Sequence, residues 1–106
     1  MSLTELTATE LLAKLNAGDV TASETATAYL DAIETRDTEI GAFLSVRRDQ
    51  ALAKAEEIDA RRKSGQPVGT LAGLPVAVKD LLCMQGEVTT CASRMLEHYR
   101  PPDNAT

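Results

Sequence analysis

The sequence predicts an α/β protein in which N-terminal helices lead into the first strands of a mixed, helix-covered sheet that is incomplete in this chain. Three observations predict it. Most of the first 63 of the 106 residues carry helical periodicity punctuated by capping signals. The run from Leu74 to Val78 is almost wholly apolar, as in a strand buried on both faces of an α/β sheet. One strong strand and one weak one cannot close a two-layer domain, and an unsealed sheet edge is a liability that complete proteins cover. The chain therefore reads as the front part of a larger α/β domain.

The elements follow in order. Thr7-Ala8-Thr9-Glu10 has the form of a capping box, Thr at the cap and Glu three residues on. It opens a helix with Leu11, Leu12 and Leu15 on one face and Gly18 as its stop. Thr21-Ala22-Ser23-Glu24 repeats the box and starts a second helix, whose apolar stripe is Ala22, Ala26, Tyr29, Leu30 and Ile33. That helix fades over Arg36 to Glu39. Residues 40–46, Ile-Gly-Ala-Phe-Leu-Ser-Val, read as a strand or extended link. A third helix spans Arg47 to Lys63, with Ala51, Leu52, Ala55 and Ile58 inward. Its last turn holds Arg61, Arg62 and Lys63, where cations suit the negative end of the helix dipole; contact with nucleic acid is the other reading. A turn-rich connector follows from Ser64 to Gly69. Past the apolar strand, Thr89 to Ser93 leads into a short helix from Arg94 to His98, stopped by Pro101-Pro102.

Composition excludes several classes of function. With 43% hydrophobic and 25% charged residues the chain is globular in character and not disordered. Eleven Lys and Arg face sixteen Asp and Glu, net −5, a poor match for phosphate backbones. No apolar run approaches the roughly 18 residues of a membrane helix. The first five residues lack a secretory pattern, and two cysteines make no disulfide framework or zinc set, so a reduced cytoplasmic setting is expected. One Phe, two Tyr and no Trp leave a core of Leu, Val, Ile and Ala that is marginal on its own.

Lys79 is the candidate catalytic residue. It stands at the carboxyl end of the expected strand, where open α/β sheets place their sites. On a strand, its side chain and that of Asp80 point to opposite faces, so the two are not a simple ion pair. Taken out of water, a lysine favours its neutral form and can act as a general base toward a hydroxyl nucleophile. The plainer alternative is an ammonium that reaches solvent from a strand end. Cys83 and Cys91 could form a redox pair, though Cys83 reads better as a small buried hydrophobe. Cys91 with His98 makes a weak nucleophile–base pair. Ser2, Ser23, Ser45 and Ser64 stand in tail, cap or turn contexts, and Ser93 reads as a helix cap.

Gly73-Leu74-Pro75-Val76-Ala77-Val78-Lys79-Asp80 resembles the Gly-x-Pro-(apolar)-x-(apolar)-Lys-Asp element of the amidase signature family. Thr89-Thr90-Cys91-Ala92-Ser93-Arg94-Met95-Leu96 is similar to a stretch found in one branch of that family, the A subunits of aspartyl/glutamyl-tRNA(Asn/Gln) amidotransferases. The resemblance covers nearly the whole chain. One departure stands near the end, where Asn104 lies between Asp103 and Ala105 while family members tend to place Asp directly before Ala-Thr.

The resemblance implies that residues 1–106 are the N-terminal part of a single amidase domain, with 1–63 mainly helical and 70–106 starting the catalytic sheet. It implies that Lys79 is the base of a Ser–cis-Ser–Lys triad, with both serines and the oxyanion hole supplied downstream of the Lys-Asp element. It implies an enzyme that hydrolyses glutamine and passes ammonia to convert Glu-tRNA(Gln) or Asp-tRNA(Asn) to the amidated form. The implied partners are the amidotransferase B and C subunits, in a heterotrimer acting on misacylated tRNA. No metal or cofactor is expected in this chain, with ATP and Mg used through the partner subunit. Two alternatives remain: another amidase-signature amide hydrolase, or a non-catalytic interaction module retaining the family's front end.

Overall fold

Helix α1, Ala8–Ala17, begins where the capping box predicts. The Thr7 hydroxyl accepts the Glu10 N–H at 3.2 Å, and the Glu10 carboxylate accepts the Thr7 N–H at 3.4 Å. It ends on Gly18, which takes a left-handed conformation at φ 82°. Helix α2, Ala22–Ile40, is capped by Thr21, and helix α3, Arg48–Lys63, follows. This computed structural model describes residues 3–80 and 82–105. Short 3-10 turns at Leu3–Glu5 and Arg94–Leu96 complete the regular structure among the described residues. The chain divides into two compact units, Met1–Pro75 and Val76–Thr106.

The first unit packs around Leu11 and Leu15 of α1, Ala22 of α2 and Ala55 of α3. Leu3, Leu6, Leu12, Val20, Ala26, Tyr29, Ile58 and Leu74 close over that centre. The predicted stripes of α1 and α2 are the faces that turn inward. On α3, Ala55 is buried and Leu52 and Ile58 are half-buried, but Ala51 is exposed. Thr25 is wholly buried and satisfies its hydroxyl on the Thr21 carbonyl, 3.0 Å away. Gly73 has φ 92°, and a β-carbon there would sit 3.1 Å from Leu15 Cδ1 and 3.4 Å from the Ala22 β-carbon. Both the backbone conformation and the close approach require glycine.

With so thin an apolar centre, polar contacts position the helices. The Asp59 carboxylate, on α3, accepts the Ala22 N–H at 2.7 Å and the Ser23 N–H at 3.0 Å. It also accepts the Ser23 hydroxyl at 2.7 Å. An anion from one helix thus fills the donor-rich start of another. Three residues on, Arg62 donates from Nη1 to the Leu15 carbonyl at 2.8 Å and to Asn16 Oδ1 at 3.0 Å. Its Nη2 donates to the Ala72 carbonyl at 2.8 Å. The cation stands in the last turn of its own helix, as expected, and also serves the end of α1. At the other end of α3, Arg48 reaches Asp31 at 2.8 Å and Glu34 at 3.0 Å on α2.

Neither expected strand forms among the described residues. Helix α2 runs one residue into the 40–46 segment because Asp37 stops it there. Its carbonyl accepts the Gly41 N–H at 2.7 Å, and its carboxylate takes the N–H groups of Ala42 at 2.7 Å and Phe43 at 3.1 Å. Phe43, Leu44 and Val46 then run exposed. The Leu74–Val78 run is also irregular, with Val76 72% exposed. Strand geometry is held by inter-strand hydrogen bonds, and no strand among the described residues offers them. Leu74 packs on the first unit's core, but Pro75 to Val78, with the composition of a doubly buried strand, lie exposed among the described residues.

The second unit is held by main-chain and side-chain bonds between two antiparallel segments, 83–89 and 99–105. The Thr89 N–H donates to the Tyr99 carbonyl and the Gly86 N–H to the Pro101 carbonyl, both at 3.0 Å. The Ala105 N–H donates to the Cys83 carbonyl. Asn104 Oδ1 accepts the Gln85 N–H at 2.8 Å, which gives a structural task to the residue that departs from the family pattern. The expected helix from 94 to 98 contracts to the turn Arg94–Leu96, opened by Ser93, whose hydroxyl accepts the Met95 N–H at 3.3 Å.

Partial burial disfavours the Asp59 charge, but the Ser23 hydroxyl, the Ala22 and Ser23 N–H groups and the Arg62 guanidinium outweigh it. The carboxyl therefore titrates below its ordinary value of 3.8. Its contribution to stability is complete above that value and is lost as pH falls through the lowered one. Asp59→Ala should destabilise the first unit by about 1–2 kcal/mol, as loss of a helix cap does. Urea titrations followed by circular dichroism should show the deficit at pH 7 and a progressively smaller one as pH falls below 3.8.

Candidate active site

The candidate site lies in the second unit. Lys79 is exposed, forms no ion pair among the described residues, and its carbonyl accepts the Leu82 N–H at 3.0 Å. Leu81, between them, lies outside the described residues, as do Met1, Ser2 and Thr106 from the readings of the two ends.

Asp80 forms no ion pair with Lys79 among the described residues and has partners that the sequence reading did not assign. The Thr90 N–H donates to Asp80 Oδ1 at 2.9 Å, and the Thr90 hydroxyl donates to Oδ2. The Cys91 N–H donates to the Asp80 carbonyl at 2.9 Å. Thr90 Oγ1 in turn accepts the Ala92 N–H at 3.2 Å, and the Thr90 carbonyl accepts the Ser93 N–H at 2.8 Å. The two sequence elements singled out separately, Lys79-Asp80 and Thr89 to Ser93, are joined here by hydrogen bonds. Cys91 and Ala92 take positive φ of 51° and 62°, a region that residues with a β-carbon seldom enter. The bonds converging on Thr90 hold them there.

The Thr90 hydroxyl, followed by its N–H, stabilises the ionised Asp80 and holds this carboxyl below its ordinary value of 3.8. Burial opposes that shift more weakly, and the Ala92 N–H adds to it. Among the other candidates, Cys83 is half-buried, Cys91 is exposed and both are free thiols. His98 is almost fully exposed and sits 3.5 Å from Glu97, not beside Cys91 as a base would have to. Ser93 is a cap, as expected. No group of three or more His, Cys, Asp or Glu side chains among the described residues could hold a metal ion. No helix among them is long and apolar enough to cross a membrane.

Residues 24–106 match the family described as Amidase, and the chain belongs to that family. Within it, the chain is 43% identical over 106 residues to the glutamyl-tRNA(Gln) amidotransferase A subunit of Natranaerobius thermophilus, covering 100% of this chain and 22% of that protein. It is 48% identical over 97 residues to the corresponding A subunit of Gloeobacter violaceus, covering 92% of this chain and 20% of the relative. The chain thus spans about a fifth of the length of these relatives and is homologous to their N-terminal region. Among solved structures it superposes, at TM-score 0.86 and 30% identity, on a chain of a vestigial complex described as revealing the evolutionary origins of an s-triazine catabolic enzyme. That match covers 93% of this chain and 22% of the other. The three helices and the irregular second unit are therefore the front of the amidase fold.

The Asp80 clasp has a direct readout. In the 106-residue chain, the Asp80 carboxyl should titrate below the ordinary range by carbon-13 NMR. In Thr90→Val, which removes the hydroxyl donor and keeps the side-chain shape, the midpoint should move up toward 3.8.

Proposed function

We propose that this chain is the N-terminal part of a glutamine-dependent tRNA amidotransferase A subunit, and that Lys79 is its contribution to catalysis. The observation that carries the reading is the identity of 43–48% to A subunits over nearly the whole chain. In this reading a downstream serine attacks the glutamine amide carbon, Lys79 takes the proton through a bridging serine, and backbone N–H groups stabilise the oxyanion. Ammonia leaves and the acyl-enzyme is hydrolysed to glutamate. The ammonia passes to a partner subunit that activates Glu-tRNA or Asp-tRNA with ATP and Mg, within a cytoplasmic assembly of the A, B and C subunits. Lys79 is exposed in this chain, and in this reading the downstream part of the protein covers it and brings the serines to it. The sheet expected for the Leu74–Val78 run forms in the same way, by pairing with strands beyond these residues.

A second reading is favoured by the 30% identical chain tied to s-triazine catabolism: an amidase-signature hydrolase acting on another small amide. Substrate preference separates the two.

In an A subunit carrying these 106 residues, Lys79→Ala should lower glutamine hydrolysis by about 10²–10⁴-fold, the range for loss of a general base. Assembly with the B and C subunits should be unchanged, because the Lys79 side chain is exposed in this unit and forms no ion pair among its described residues. An ammonia-release assay on the assembled protein checks this; wild-type rates in the variant would remove Lys79 from the mechanism. Preference for other small amides over glutamine would move the assignment to the second reading.

A further inference from the structure

We infer that Asp80 is a positioning residue for Lys79, acting through Thr90 and the strained turn that follows it; the inference rests on the reading of Lys79 as the base. The argument starts from accounting for acceptors. Both carboxylate oxygens of Asp80 are taken by Thr90, one by its N–H and one by its hydroxyl, and the Asp80 carbonyl is taken by the Cys91 N–H. The Lys79 carbonyl, next to it in the chain, takes the Leu82 N–H. The backbone just C-terminal to the lysine is therefore pinned at two successive residues, while its amine is left without an ion pair among the described residues. A general base needs this division: a fixed root and an amine with no carboxylate to keep it charged.

The turn supplies the second line of argument. Cys91 and Ala92 occupy the left-handed region in succession, with no glycine to make it cheap. Thr90 holds them by using every polar atom it has. Its hydroxyl donates to Asp80 and accepts from Ala92, its N–H donates to Asp80, and its carbonyl accepts from Ser93. A capping or turn role would need one of these bonds. The full set ties the turn to the residue beside the lysine. A side chain of the same shape without a hydroxyl leaves one Asp80 oxygen and the Ala92 N–H unpaired, and the Lys79 backbone is then free to shift.

The test uses an assembled amidotransferase whose A subunit carries these residues, with glutamine as substrate. Thr90→Val should lower kcat about 10–100-fold, the scale of a misplaced catalytic group, with KM changed less than about twofold. Thr90→Ser, which restores the hydroxyl, should return kcat to within about threefold of the unsubstituted protein. An unchanged kcat in Thr90→Val, or a loss confined to KM, overturns the inference. So does failure of Thr90→Ser to rescue. Should Thr90→Val not assemble, Asp80→Glu keeps the charge and shifts the acceptors by one methylene; it should lose kcat while assembling normally, and an unchanged kcat overturns the inference. Lys79→Ala separates the two claims. An inactive Lys79→Ala beside a fully active Thr90→Val sinks the role of Asp80 alone, whereas an active Lys79→Ala sinks the base and its positioning residue together.

Discussion

The first unit depends on one carboxylate. Asp59 sits at the start of α2 and takes three donors, two of them main-chain N–H groups that would otherwise have no helical partner. Arg62, one turn further along α3, does the converse at the end of α1. Anion to positive helix end and cation to negative helix end set how three helices meet, beyond what the few buried apolar side chains among the described residues specify. The geometry is strict. Sliding α3 by one residue would carry both charges away from their partners, so the pair fixes the register that the weak apolar face of α3 leaves open. Arg62 Nε is buried without a hydrogen-bond partner among the described residues, a cost the guanidinium bears while its other two nitrogens bind three acceptors.

The second unit uses the same economy in a different form. It has no helix longer than a single 3-10 turn among its described residues, and its shape comes from main-chain bonds and from three side chains that imitate main chain: Asp80, Thr90 and Asn104. Short polar side chains stand in for absent strand neighbours. That substitution explains how Lys79 and Asp80 are held in place without the sheet that their sequence context suggests.

The helices were legible in the sequence because their signals are local. A capping box, a glycine stop and an apolar stripe lie within one or two turns; α1 obeys all three, and α2 keeps its Thr21 cap and its stripe but runs past the expected fade at Arg36–Glu39 to Gly41. The strands were not, because a strand is a relation between segments. Leu74 to Val78 carries the composition of a buried strand, but composition cannot supply the neighbour. For the same reason the partner of Asp80 was missed: ten residues separate it from Thr90, and neither residue type announces the other. The reading of Arg62 in the last turn of its own helix held but was incomplete. A cation in a last helical turn fits its own dipole so well that nothing in the residue pattern hints at a second helix end beside it. The signal that could have found the Asp80 clasp was the order of the two family elements, since two motifs retained together invite a physical link.

The apolar side chains left uncovered in both units set how the polypeptide behaves as a solute. Ile40 and Leu44 in the first and Val76 and Met95 in the second are each more than 70% exposed. At neutral pH the net charge of −5 keeps neighbouring copies apart. Near the sequence isoelectric point of about 4.8 that repulsion vanishes while the exposed apolar side chains remain, so mild acidification should favour self-association.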